Sequence, residues 1–248
     1  MTYCVALLLD QGIVMLSDTR TNAGVDNIAT FSKLAVVERP GERVIAVLSA
    51  GNLAITQAAV TRAIEGASAP IGADAPRTLA NAQTMFEAAR VLGEAVREVY
   101  AHDGKALEAQ DYAFDANFLI AGQIKSERMR LFQVYSAGNF IESTPDTPFF
   151  QIGEHKYGKP ILDRVARFDI PLEDAVKLAC ISLDSTLRSN LTVGLPADIV
   201  IYRRDALKLA SRKRILSDDP YFNSIREGWS HALRNAYREL PPPPWPMS

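Results

Sequence analysis

Four β-prone runs open this chain, at residues 3–9, 13–17, 33–38 and 43–49. In them, residues on both sides of the strand alternation are mostly apolar. A strand with one face in water alternates apolar and polar positions, so runs that are apolar on both sides belong to sheet covered on both faces. Asp10-Gln11-Gly12 and Pro40-Gly41 carry the turn residues that fold the runs into two hairpins.

Beyond residue 50 the period changes from two to three and four. A helix is expected after Gly51, with Leu53, Val60 and Ile64 on one stripe. A second is expected over 78–100, with Ala82, Phe86, Ala89, Gly93, Val96 and Tyr100 facing the core. Strands follow at 117–124, 129–135 and 149–152, then helices at 158–167 and 172–188, then strands at 198–203 and 207–215. Asp219-Pro220 reads as an N-cap followed by proline at the first helical position. The last helix then carries Ile225, Trp229, Leu233, Ala236, Tyr237 and Leu240 on one face. Pro241–Pro244 end it and begin a polyproline-type tail. Segregated blocks of strands and helices predict an α+β fold, with two antiparallel sheets face to face and helices outside.

No Pro/Gly/Ser-rich linker divides the 248 residues, so residues 2–248 are read as one domain, with an added helix and proline-rich tail from about 216. The formal net charge of −2 offers no attraction to nucleic acid or an anionic membrane. Cys4 and Cys180 lie in apolar neighbourhoods and read as buried free thiols, as in a reducing cytosol. The apolar stretch at 5–9 stops at Asp10, too short for a secretory core of roughly 7–15 residues. No run approaches the roughly 20 apolar residues of a membrane span, so a cytoplasmic location is expected.

His102, His155 and His231 are scattered without ligand spacing, so no metal is expected. No phosphate-cradling glycine loop, dinucleotide fingerprint or serine nucleophile elbow is present, and no cofactor is expected. One arrangement remains. Thr2 heads the first strand, Asp18 ends the second, Lys33 opens the third and Gly51 closes the fourth. In a small antiparallel sheet these ends can meet at one edge. Thr2 follows a start methionine, and aminopeptidases remove that residue before a small side chain. A threonine hydroxyl needs a base. Its own free α-amino group, with an ordinary pKa of about 7.7–8.0, can serve near neutrality. Lys33 would tune Thr2, Asp18 would hold Lys33, and backbone N–H groups near Gly51 would stabilise an oxyanion. Each feature alone has an ordinary reading: a surface turn, a solvated lysine, a strand-to-helix glycine. Their combination carries the chemistry.

The segment Ser17–Gly24 resembles the Asp-x-Arg segment after the second strand of proteasome β-subunits, with the lysine downstream at Lys33. Ser49-Ala50-Gly51-Asn52 is similar to that family's turn into its first helix. Phe118–Gly122 with Leu131-Phe132, Phe150–Gly153 with Tyr157, and Ala197–Tyr202 resemble its later strands. The helix and tail at the end point to the bacterial Anbu, or ancestral β-subunit, branch. The resemblance implies an N-terminal-nucleophile hydrolase fold, a four-layer αββα sandwich, in rings or open helical assemblies of identical subunits that act on peptides, with room for an unfoldase partner. It implies Thr2 as nucleophile and base, Asp18 and Lys33 as its support, and the Gly51 N–H at the oxyanion. Asn22 and Leu53 would offer backbone to an extended substrate, and Ser49 would line the first specificity pocket. Two departures stand out. The family's Gly-Ser turn reads Gly153-Glu154, and its distal Asp-x-x-Ser pair is placed at Asp184 with Ser185 or Ser189. A non-hydrolytic assembly particle and a small-molecule amidase on the same fold are the alternatives.

Overall fold

The computed structural model describes residues 1–22, 28–66 and 76–245. Ala23, Gly24 and the last three residues of the tail lie outside the described residues, as does the side chain of Asn22. Strands β1 (Tyr3–Leu8), β2 (Gly12–Asp18), β10 (Phe149–Gly153), β11 (Ala197–Arg203) and β12 (Leu209–Ile215) form one sheet in the order β10-β1-β2-β11-β12. Strands β5 (Leu34–Arg39), β6 (Arg43–Gly51), β7 (Ala116–Ile124), β8 (Arg130–Val134) and β9 (Phe140–Glu142) form the other, in sequence order. A short ribbon pairs β3 (Arg20–Asn22) with β4 (Ile28–Thr30). All pairings are antiparallel.

Helices α1 (Leu53–Glu65) and α2 (Met85–Glu108) cover the second sheet, while α3 (Lys159–Val165), α4 (Leu172–Ser189) and α5 (Pro220–Glu239) lie on the side of the first. The four layers enclose three apolar cores, and the pleat of single strands explains why both faces had to be apolar. Tyr3, Val5 and Leu7 of β1 pack with Leu178, Ala179 and Leu183 of α4. Cys4, Ala6 and Leu8, the alternate residues, face the second sheet among Leu48, Leu119 and Leu131. Strand β6 does the same in reverse: Ile45 and Val47 meet α1 and α2, and Ala46 and Leu48 meet the first sheet.

The structure moves several elements from their expected positions. Helix α2 begins at Met85 rather than 78, because Thr84 caps it. The Thr84 side chain accepts from the Glu87 N–H, and the Glu87 carboxylate reaches back to the Gln83 N–H. The buried stripe of α1 is Ile55, Ala59 and Ala63, with Val60 and Ile64 only partly covered. Phe86 and Tyr100 of α2 are exposed, each edge-on to another ring, Phe140 and Phe114 respectively. The stripe of α5 is also not core. Only Phe222 is buried, whereas Leu233 and Tyr237 are 50% and 77% exposed. Strands β3, β4 and β9, three residues each, are too short to show a period in the sequence. The expected cap at Asp219 is found, its side chain accepting from the Phe222 N–H at 2.9 Å.

Gly93 of α2 lies against Gly138, where an added Cβ would collide with the Gly138 carbonyl oxygen. Gly93→Ala must push the helix from the β8–β9 turn, so urea unfolding should show a loss of about 1–3 kcal/mol.

Candidate active site

The register of the first sheet builds the site. Cys4 lies opposite Ser17 in the β1–β2 pair, which brings Tyr3 beside Asp18 at the strand ends. The Tyr3 N–H donates to Asp18 Oδ1 at 2.9 Å. Lys33, immediately before β5, donates through Nζ to the same oxygen at 2.7 Å and to the Arg20 carbonyl at 2.6 Å. The Gly194 N–H approaches Asp18 Oδ2 at 3.4 Å. Asp18 is fully buried and Lys33 is nearly so, so the ion pair is little screened and its geometry is set by four backbone segments. Burial raises the Asp18 carboxyl above its ordinary value, opposed by the Lys33 charge and the donated hydrogen bonds.

Thr2 is held from the other side. Its carbonyl accepts the Glu154 N–H at 2.6 Å, just beyond the Tyr3–Gly153 pair of β1 and β10. Gly153 has φ +80°, and a Cβ there would collide with the Thr2 carbonyl oxygen, so this position admits only glycine. Thr2 is 8% exposed, whereas Met1 is 66% exposed.

A cleft of about 390 Å³ opens on Thr2, and Lys33, Ser49, Gly51 and Leu53 also line it. Gly51 has φ +122°, and its missing side chain leaves room for the Asp115 carbonyl. Asn52 then caps α1, its side chain accepting from the Ala54 and Ile55 N–H groups. Ser49 is fixed by its N–H on the Lys33 carbonyl at 3.1 Å. The fold therefore brings Thr2, Lys33, Ser49, Gly51 and Leu53 to one cavity, with Asp18 behind Lys33. Asn22 ends β3 two residues past Arg20, which also lines the cleft.

The distal support read at Asp184, Ser185 and Ser189 is not brought there. Asp184 is fully buried, with Oδ2 accepting from Arg188 at 3.0 Å and Oδ1 from Arg226 of α5 at 2.8 Å, so it ties two helices together. Ser185 turns its hydroxyl back to the Ile181 carbonyl, and Ser189 is exposed at the end of α4. Beside Thr2 stands instead Glu154, already marked by the Gly153-Glu154 departure, with a partner, Asn190, that the sequence did not reveal. Glu154, buried after β10, receives the Asn190 Nδ2 at 2.7 Å on Oε2 and the Lys156 N–H at 2.8 Å on Oε1. Asn190 caps the C-terminal end of α4, and its Nδ2 also lies 3.8 Å from the Met1 sulfur. No spacing rule links residues 36 apart, so nothing local could have revealed this contact.

Burial pushes the Tyr3 phenol and Cys4 thiol upward, and the Cys180 thiol up to about 12. Among the described residues, no group of three His, Cys, Asp or Glu side chains could hold a metal ion.

A family model described as the proteasome subunit matches residues 96–201. No curated protein matches the sequence significantly. Among solved structures, a Gly-1 mutant of Anbu from Hyphomicrobium sp. strain MC1 is 55% identical over 98% of this chain and 99% of its own, with a TM-score of 0.89. Anbu from Yersinia bercovieri is 50% identical over 96% and 97%, at a TM-score of 0.87. The helical assembly of the Anbu complex from Pseudomonas aeruginosa is 46% identical over 98% of both chains, at 0.89. Identity at this level over nearly whole chains places the sequence in the proteasome subunit family, with the N-terminal-nucleophile hydrolase fold. Within that family it belongs to the Anbu, or ancestral β-subunit, branch.

Asp18→Asn leaves the Lys33 ammonium buried without its counter-charge and should cost about 3–5 kcal/mol in denaturant titrations.

Proposed function

We propose that this chain is a proteasome-type threonine peptidase that works as an assembly of its own copies. The observation that supports it most is the position of the Lys33 ammonium. It is clamped by Asp18 and the Arg20 carbonyl, and it lines the cavity onto which Thr2 opens.

With Met1 removed, the Thr2 amine takes the proton from Oγ, and Oγ attacks the substrate carbonyl. The tetrahedral oxyanion faces the Gly51 N–H. The protonated amine then returns its proton to the departing nitrogen, leaving an ester on Thr2. Water, activated by the same amine, hydrolyses that ester and frees the hydroxyl. Lys33 keeps a fixed positive charge beside Oγ, which favours the alkoxide without donating its own proton. An extended peptide would pair with backbone at Thr21 and Asn22 and enter beside Ser49 and Leu53. Thr21 is among the residues that line the cleft.

Thr2→Ala should abolish hydrolysis of fluorogenic peptides by the mature protein. Lys33→Ala should lower it by about 10²–10³, the range typical of losing a fixed group that stabilises developing negative charge. Turnover that survives T2A would sink the peptidase reading. Turnover of short acyl-amides alone would make the protein an amidase. A second reading, a non-hydrolytic particle, draws on the absence of Asp184, Ser185 and Ser189 from the cleft, and an inert mature chain would favour it.

Self-association is supported by α5. Its outer half presents Leu233 and Tyr237 to solvent, and Leu240, just past its end, is exposed with them. The helical assembly of the Pseudomonas aeruginosa relative makes a second copy the natural cover. Leu233→Glu combined with Tyr237→Glu should shift sedimentation toward smaller species while circular dichroism stays unchanged.

A further inference from the structure

Glu154 is a buried carboxylate without a counter-ion. It is 3% exposed, and among the described residues no lysine, arginine, histidine or N-terminal ammonium lies within ion-pair distance of it. Both oxygens accept from neutral donors, the Lys156 N–H and the Asn190 amide. Such a group is costly to bury unless a positive charge completes its surroundings. Its neighbours show where that charge would come from. Its own N–H holds the Thr2 carbonyl, and its partner Asn190 touches the Met1 side chain.

We propose that Glu154, steadied by Asn190, is the counter-ion that seats the α-ammonium of Thr2 once Met1 is gone. Cleavage of the Met1–Thr2 peptide bond by water converts a neutral amide nitrogen into an amine that carries a proton at neutral pH, and frees methionine. The new cation forms one residue from the main chain that Glu154 grips, and the space left by Met1 lets it turn toward the carboxylate. Asn190 loses its sulfur contact in the same step and keeps its bond to Oε2. This rests on the proposed function, in which that amine is the base, and it names the residue that positions it.

Other charges face the same amine. Lys33, just before β5, and Arg20 of β3 oppose its protonation. Asp18 and Asp115 favour it, but Asp18 is taken by Lys33, and Asp115 holds the Asn117 amide. His155 and Lys156 adjoin Glu154 on its loop, with His155 Nδ1 3.2 Å from the Gly153 carbonyl. An uncompensated carboxylate on the residue whose N–H holds the Thr2 carbonyl outweighs these and holds the amine protonated to higher pH than lysine alone would allow.

The test uses chains released from a cleavable fusion so that they begin at Thr2, confirmed by intact mass. N-terminal labelling with an amine-selective aldehyde is followed across pH, which reads the amine whether or not peptides turn over. Wild type should show a labelling midpoint above that of the same chain in guanidinium. Glu154→Gln and Glu154→Ser should each lower it by about one pH unit or more. The midpoint of peptide turnover, where present, should move with it. Identical midpoints in wild type and both variants would overturn the proposal. A measurement without substitution at Glu154 stands beside this. The chain beginning at Thr2 should melt at a higher temperature than one beginning at Met1, because only the former supplies the missing cation; equal melting temperatures would also overturn it. A Glu154-dependent midpoint in a chain that cleaves nothing leaves this inference standing and removes the peptidase reading. Thr2-dependent turnover with an unmoved midpoint does the reverse.

Discussion

One buried carboxylate joins the parts of this protein that must stay in register. Asp18 accepts the first N–H of β1, the ammonium that precedes β5 and, more weakly, an N–H from the loop before β11. Those segments belong to both sheets. The pair of Asp18 and Lys33 therefore works as a clasp between the two halves of the sandwich at the end where Thr2 emerges. Removing either partner leaves an unpaired charge in a dry place, which costs far more than the net contribution of the pair itself. The clasp also explains why Lys33 is held so firmly. Its second bond goes to the Arg20 carbonyl, which fixes the start of the β3–β4 ribbon along one wall of the cleft.

The layered fold could be read from the sequence because each strand had to serve two cores at once. Val5 packs on α4 and Ala6 on the second sheet, and that double demand is written as unbroken apolar runs. The central site residues were legible for a related reason. Turn residues such as Gly12 and Gly41 fix where strands end, and in an antiparallel hairpin sheet alternate ends fall on one edge. Elsewhere the sequence is silent or misleading. Phe86 and Tyr100 fit a helical period yet face outward, because ring-on-ring contacts at the rim satisfy them as well as burial would. Asp184 lies near the expected spacing for a catalytic support, but Arg188 one turn on and Arg226 of α5 claim it. The junction of Glu154 and Asn190 depends on where a loop meets a helix end, a tertiary fact with no local pattern.

Helix α5 differs from the other helices in what holds it. Phe222 and the bond that Arg226 donates to Asp184 anchor its first turns, while its later turns extend over solvent. Its amphipathic stripe resembles that of a core helix in sequence, and periodicity alone cannot tell a stripe that meets its own chain from one that meets another. The same composition thus describes either packing or assembly.

The contrast between an exposed Met1 and a buried Thr2 has a consequence in time. An enzyme that removes the first residue must close around the bond joining these two, yet in the folded chain the Thr2 carbonyl is already held by Glu154 and backed by Gly153. That grip comes from β10, which is encoded about 150 residues later. At synthesis rates of roughly 5–20 residues per second, about 8–30 seconds pass before it can form. If Met1 is removed as proposed above, the bond to be cut is least guarded while the chain is still on the ribosome.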